Sequence, residues 1–211
     1  MIFKKLVIIG ELAHFKNSVN GKNQNTFKVP PVSTIVGILK NIYGKDIQDF
    51  IFGYTTEYKT TFKDITTIYK ETIEEKKGKR FESDICRIEY LIDPIITIYT
   101  NLNNEIQMSE ILNLGKTNCL AKCLFRKSNI ILKSNIGYNQ WTSSNVGSGI
   151  ITRINLETIF NERKGYYDYI TKLCRLNEQF NTNYCDNDTE EGLFLWNYKK
   201  EGEIECYQEK L

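Results

Sequence analysis

The sequence predicts an α+β fold with a βαββαβ, ferredoxin-like core. Three observations predict it. A β-branched apolar run opens the chain, a helix-spaced segment follows a Pro-Pro pair, and later apolar runs have strand composition. RNA-recognition modules share that topology, but a fold does not by itself give a function.

Each element has its own signal. Residues 2–9, IFKKLVII, read as the first strand. Residues 16–28, KNSVNGKNQNTFK, are polar and rich in Asn, Gly and Lys, so they form a loop. Pro30 and Pro31 end it in an extended conformation, and Ser33 stands where an N-cap would stand. Ile35, Val36, Ile38, Leu39, Ile42 and Tyr43 follow at helical spacing, with Gly44 as the stop. Residues 50–69 read as one or two strands, and EEKKGKRFESD (74–84) as the tip of a projecting hairpin returning through Ile85–Leu91. Pro94–Thr100 is a strand, Met108–Leu112 a helical turn and Gly115–Phe125 another strand. Glu157–Gln179 reads as partly helical, and Leu193–Tyr198 as a last strand. The expected organisation is one domain over 1–211. Its core covers 1–125, with the hairpin around 70–91, and a small C-terminal extension covers 126–211.

Composition narrows the classes. The chain has 211 residues, 41% apolar and 26% charged, enough for a buried core and too ordered a composition for disorder. It has no run of eighteen apolar residues, so no transmembrane helix is expected, and its N-terminus lacks the long apolar region of a signal peptide. Six cysteines without a C-x-x-C, and a single histidine, argue against structural zinc and for free thiols in the cytoplasm. The charge is uneven. Residues 1–45 carry seven lysines against Glu11 alone, and no acidic residue lies between Glu110 and Glu157. The C-terminal stretch is acidic. Such asymmetry predicts a basic face for a polyanion and an acidic end that points elsewhere.

The segment Glu11–Gly44 carries the most specific pattern: Ala13-His14-Phe15-Lys16, then Thr26-Phe27, then Pro30-Pro31-Val32-Ser33-Thr34-Ile35-Val36-Gly37. A second element is Leu114-Gly115-Lys116-Thr117-Asn118-Cys119-Leu120-Ala121. Together they resemble the CRISPR-associated Cas-five family, in the form found in type I-B systems. That resemblance implies an RNA-binding subunit of the Cascade surveillance complex that caps the 5′ handle of the guide RNA (crRNA). It implies contacts with the large subunit (Cas-eight family) and the first backbone subunit (Cas-seven family). Target DNA is reached only indirectly, and no membrane or cofactor is involved. The hairpin becomes a thumb, with Lys76, Lys77, Lys79 and Arg80 at its tip.

The residue chemistry is compatible with a polyanion. A helix N-terminus at Ser33 and Thr34 presents free N–H groups to a phosphate. Lys16, Lys22 and Lys28 lie on the loop beside it, and Phe15 or Phe27 offers a stacking face. His14 and Thr26 belong to the same motif, while Gly115, Lys116, Thr117 and Asn118 supply a turn, a charge and two hydrogen-bonding side chains. Lys16 stands where relatives more often have Arg, and Val32 where a basic residue is common.

Catalysis is not expected. A related branch of the family cuts precursor RNA without metal, using Tyr, Lys and His. Here His14 is the one histidine, and the residue after Lys116 is Thr117. No P-loop, dinucleotide, zincin or nucleophile-elbow motif occurs. The alternative is a metal-independent endoribonuclease that uses His14 and a tyrosine.

Overall fold

The computed structural model describes residues 1–17, 23–74, 78–103, 105–106, 111–199 and 203–207; of the side chains at 68, 70–82, 156–160, 167 and 169 nothing is said. In chain order the elements are β1 (Ile2–Gly10), β2 (Leu12–Ala13), β3 (Asn23–Gln24), α1 (Val32–Tyr43), β4 (Phe50–Glu57), β5 (Thr60–Glu74), β6 (Gly78–Ile92), β7 (Ile95–Thr100), β8 (Ile111–Asn113), β9 (Leu120–Ser143), β10 (Ile150–Asn161), β11 (Tyr166–Asp186), β12 (Trp196–Tyr198) and β13 (Ile204–Cys206).

The expected α+β, ferredoxin-like βαββαβ core is not what forms. The molecule is mostly β, an antiparallel sheet curled into a half-barrel, with one helix among the described residues. Its strand order is β10-β11-β9-β1-β7-β4-β12-β13, with β8 paired to β9. Where a second helix was expected, Ile111 and Leu112 open β8, and 108–110 lie outside the described residues. The stretch expected to be partly helical, Glu157–Gln179, falls in β10 and β11. The physical reason is long-range pairing. β11 has partners on both sides, β10 through Leu176↔Ile150 and β9 through Leu176↔Trp141. Two flanking ladders override the helix propensity of a stretch such as TKLCRLNEQ. The C-terminal residues are therefore no small extension. They supply β10 to β13, including both ends of the main sheet.

The helix forms where its spacing predicted. Ile35, Leu39 and Ile42 are fully buried against Leu6 and Ile8 of β1, Ile96 and Ile98 of β7 and Ile154 of β10. Gly44, at φ 101°, ends it, and its N–H donates to the Lys40 carbonyl. One correction concerns its start. Pro31, not Ser33, stands at the N-cap, with no side-chain cap hydrogen bond. A proline fits the position before the first turn because its missing N–H is not needed there.

The hairpin forms as a regular ladder of β5 and β6, from Thr60↔Ile92 to Glu74↔Gly78. Its base joins a second sheet of order β2-β6-β3. The chain between Gly115 and Cys119, expected as strand, is a turn; β9 begins at Leu120.

The acidic end does not point away from the basic residues. Asp186, at the end of β11, sits over the face of β1 and β7 turned away from α1. Lys5 Nζ reaches its Oδ2 at 2.7 Å, the Tyr99 hydroxyl donates to the same oxygen at 2.9 Å, and the Ser128 hydroxyl donates to Oδ1 at 2.5 Å. The Asp188 N–H also donates to Oδ1, at 3.0 Å. Burial alone would raise this carboxyl, but the four donors hold it down at about 2. Leu193 and Leu195 pack beside it on Phe3 and Tyr99. A carboxylate with a depressed pKa contributes stability at pH above its unfolded value and loses it as pH falls toward the folded one. Denaturant melts should therefore show stability falling between about pH 4 and about pH 2 in the wild type. Asp186→Asn should remove that slope and cost about 3 kcal/mol at pH 7, because Lys5 is left buried beside a neutral group.

Candidate nucleic-acid interface

The two sequence motifs meet. The His14 backbone N–H donates to the Leu114 carbonyl at 3.0 Å, and the Cys119 carbonyl accepts from the Leu114 N–H at 2.8 Å. Gly115 adopts φ +98°, and a Cβ there would lie 1.8 Å from the His14 carbonyl oxygen. Only glycine permits both that conformation and that approach.

The chain around this junction is held by side chains buried for the purpose. The Phe15 N–H donates to Thr26 Oγ1 at 2.8 Å, the Thr26 hydroxyl donates to the Phe27 carbonyl at 3.1 Å, and the Phe27 N–H returns to the Phe15 carbonyl at 2.7 Å. The Tyr54 hydroxyl donates to the Pro30 carbonyl at 2.8 Å and the Trp141 indole N–H to the Val29 carbonyl at 3.2 Å. These two aromatic tips, from β4 and β9, fix the approach to α1. Burial pushes the Tyr54 phenol well above its usual range, so it remains a donor.

The result is a cleft of about 300 Å³ lined by His14, Phe15, Lys16, Gln24, Pro31, Thr34, Gly115 and Lys116. It lies at the N-terminal end of α1, and its charged side chains are Lys16 and Lys116. Lys16 is exposed and Lys116 half-buried. Neither has a carboxylate partner among the described residues. Ser33 and Thr34 are half-buried in the first turn of α1; the Thr34 N–H already donates to the Pro31 carbonyl at 2.8 Å. Thr117 and Asn118 are exposed on the turn that carries Lys116.

His14 is 3% exposed. Its Nδ1 lies 2.7 Å from the Glu89 carbonyl, so that nitrogen carries the proton and donates. Nε2 is then an acceptor, buried without a protein partner. Burial lowers the imidazole pKa most; the Glu89 carbonyl acts against that, and Lys116 and Lys16 lower it further. The ring is therefore neutral at neutral pH, and it stands 5.8 Å from the Tyr90 ring.

Other expected contacts are placed differently. Thr26 is buried with its hydroxyl engaged, and Phe15 belongs to the core. Phe27 packs edge-on against Trp141 at 5.4 Å. Lys28 pairs with Glu89 Oε1 at 3.0 Å, and the Thr26 N–H donates to Glu89 Oε2 at 3.1 Å. Glu89 was not foreseen. It sits on β6, 61 residues from Lys28, and no spacing in the sequence points to it. Lys22, Lys76 and Lys77 lie outside the described residues; Lys79 and Arg80 lie on β6. Among the described residues no group of three His, Cys, Asp or Glu is placed to hold a metal ion. Among the described residues no helix is long and apolar enough to cross a membrane.

Residues 5–107 match the family model described as CRISPR-associated protein (Cas_Cas5). Over those residues, just under half of the chain, it is similar to that family. The matched span contains β1 from Lys5 onward, the His14–Lys28 loop, α1 and the hairpin, while the Lys116 turn lies beyond it. No curated protein matches the chain.

Two outcomes follow for the junction. Gly115→Ala should lower stability by about 3 kcal/mol or prevent folding, read by thermal or denaturant melting, since the added Cβ meets backbone rather than a movable side chain. His14 gives the one histidine signal of the chain, so its titration is read directly by NMR. The midpoint should lie below 6.5, and stability should decline as pH falls below about 6.5, because the unfolded chain takes up the proton first.

Proposed function

We propose that this chain is a non-catalytic, RNA-binding subunit of a cytoplasmic type I-B CRISPR surveillance complex. In this reading it caps the 5′ handle of the crRNA, and the cleft between the His14 and Lys116 motifs takes the handle backbone. The observation that carries the reading is the convergence of the two motifs. It gathers Lys16 and Lys116, with no neutralising carboxylate, around the first turn of α1. Anions are stabilised at helix N-termini and by lysines, and a phosphodiester is the anion a handle offers. Thr117 and Asn118, exposed on the Lys116 turn, present hydrogen-bonding groups for a 2′-hydroxyl or a base edge.

His14 is given a positioning role. It is buried, neutral and tied through Nδ1 to the Glu89 carbonyl, which sets the height of the loop that carries Lys16. A ribonuclease base would need Nε2 within reach of a 2′-hydroxyl, and that atom is buried. Glu89 has the companion role, anchoring Thr26 and Lys28.

The test is incubation of purified protein with labelled repeat–spacer RNA in EDTA, read on native and denaturing gels. The expected result is intact RNA and a shift that requires the 5′ handle. Lys16→Gln with Lys116→Gln should weaken binding at least tenfold and flatten the slope of log affinity against log salt by about 1.4, the value for two contacts to a single strand. A single cut at the handle boundary that is lost in His14→Ala would replace this reading with the endoribonuclease one.

A further inference from the structure

The described residues cover only part of the face of the main sheet turned away from α1. The pairing registers set the rows. One row crosses five strands as Glu57, Ile95, Ile9, Lys122 and Ile111. The next is Thr55, Thr97, Val7 and Leu124, and a third is Tyr99, Lys5 and Arg126. Directly paired residues share a face, so these side chains stand together.

At Lys5 and Tyr99 the third row is covered by the chain itself. Asp186 sits on Lys5 and Tyr99, the Tyr99 hydroxyl also reaches Glu191 at 3.4 Å, and Leu193 and Leu195 fill the space over Phe3 and Tyr99. Beyond that segment, apolar side chains of the same face are exposed to solvent. Ile9 is 44% exposed, Ile95 37%, Leu124 46% and Ile111 57%. Leu120, opposite Asn113 on this face, is 52% exposed. Lys122 and Arg126 are exposed among them and have no carboxylate partner among the described residues. Contiguous apolar surface of this kind marks an interaction site.

We infer that this uncovered half-face is a protein-docking surface for another subunit of the complex, one whose contact segment carries aliphatic side chains with Asp or Glu among them. The inference rests on the reading above that the chain works within such a complex. Two observations choose the occupant. Residues 186–195 show what fits these rows: carboxylates on the cations and leucines on the apolar positions. The exposed apolar residues of the patch are all aliphatic, whereas single-stranded RNA is held by aromatic stacking platforms. Lys122 lies between Ile9 and Ile111 in the first of these rows, so a partner that buries the row must supply it a negative charge.

The experiment compares the wild-type chain with Lys122→Glu and with Ile9→Thr/Leu124→Thr. All three are matched by thermal melting. Each is tested for capture of the purified backbone subunit and the purified large subunit, and separately for retention of handle RNA. We expect both variants to weaken capture of one subunit at least tenfold while handle RNA is retained as in the wild type. Unchanged capture of both subunits overturns the inference, as does a wild-type chain that captures neither. Loss of RNA with capture intact overturns it and assigns the face to nucleic acid. A wild-type dimer that the variants dissociate overturns it in favour of self-association. Failure of the wild type to retain handle RNA counts against the capping role alone, since capture still decides what this face binds.

Discussion

The close approach of the His14 carbonyl to Gly115 is the constraint on which the candidate site depends. It brings together residues a hundred positions apart, and it does so through backbone. A left-handed glycine and a missing Cβ are required on one side, and a carbonyl fixed by β2 and its neighbours on the other. Lys116 is placed by that turn, Lys16 by its isolated antiparallel bridge to Thr26. The charge of the cleft is therefore set by main-chain geometry, and the lysines need no carboxylate to hold them there. Lys28, on the same loop, is the contrast: Glu89 takes it up, and its charge steadies the loop.

The second organising contact is Asp186 on Lys5. Taken alone, a buried ion pair is weak evidence for stability, because both groups lose water. Here three further donors complete the carboxylate, so the pair closes with no unpaired charge. Its effect is directional. It pins the end of β11 over β1 and β7, from where the chain continues to β12 against β4. The C-terminal residues thereby become the closing part of the half-barrel.

What was legible in the sequence was local. The β1 run, the α1 spacing with its Gly44 stop, the hairpin and the strand after Pro94 follow from periodicity and turn chemistry, and each is governed by neighbours a few residues away. The motifs around His14 and Lys116 were also legible, though not that they touch. What failed was non-local. Nothing within Glu157–Gln179 says that ladders flank it on both sides, and nothing near Lys5 or Lys28 announces Asp186 or Glu89. Charge counting erred for the same reason: a residue's sequence neighbourhood gives its charge, while pairing across the fold decides whether that charge is available.

That distinction sorts the lysines and arginines of the acid-free stretch. Lys133 is bound by Glu190 at 2.8 Å, across 57 residues. Lys116 lies at the cleft on the turn before β9, whereas Lys122 and Arg126 lie on the face of β9 turned away from α1. The same lack of acidic residues thus produces two unlike surfaces. One is a concave site at a helix terminus that carries Lys16 and Lys116, groups of the kind that stabilise a phosphate. The other is a shallow aliphatic plane with isolated cations, where a phosphate backbone would leave the apolar rows wet and a protein segment would cover them. In the proposed reading, one strand and the turn that precedes it serve two partners of different chemistry, because strand alternation and the Gly115 turn point their cations in different directions.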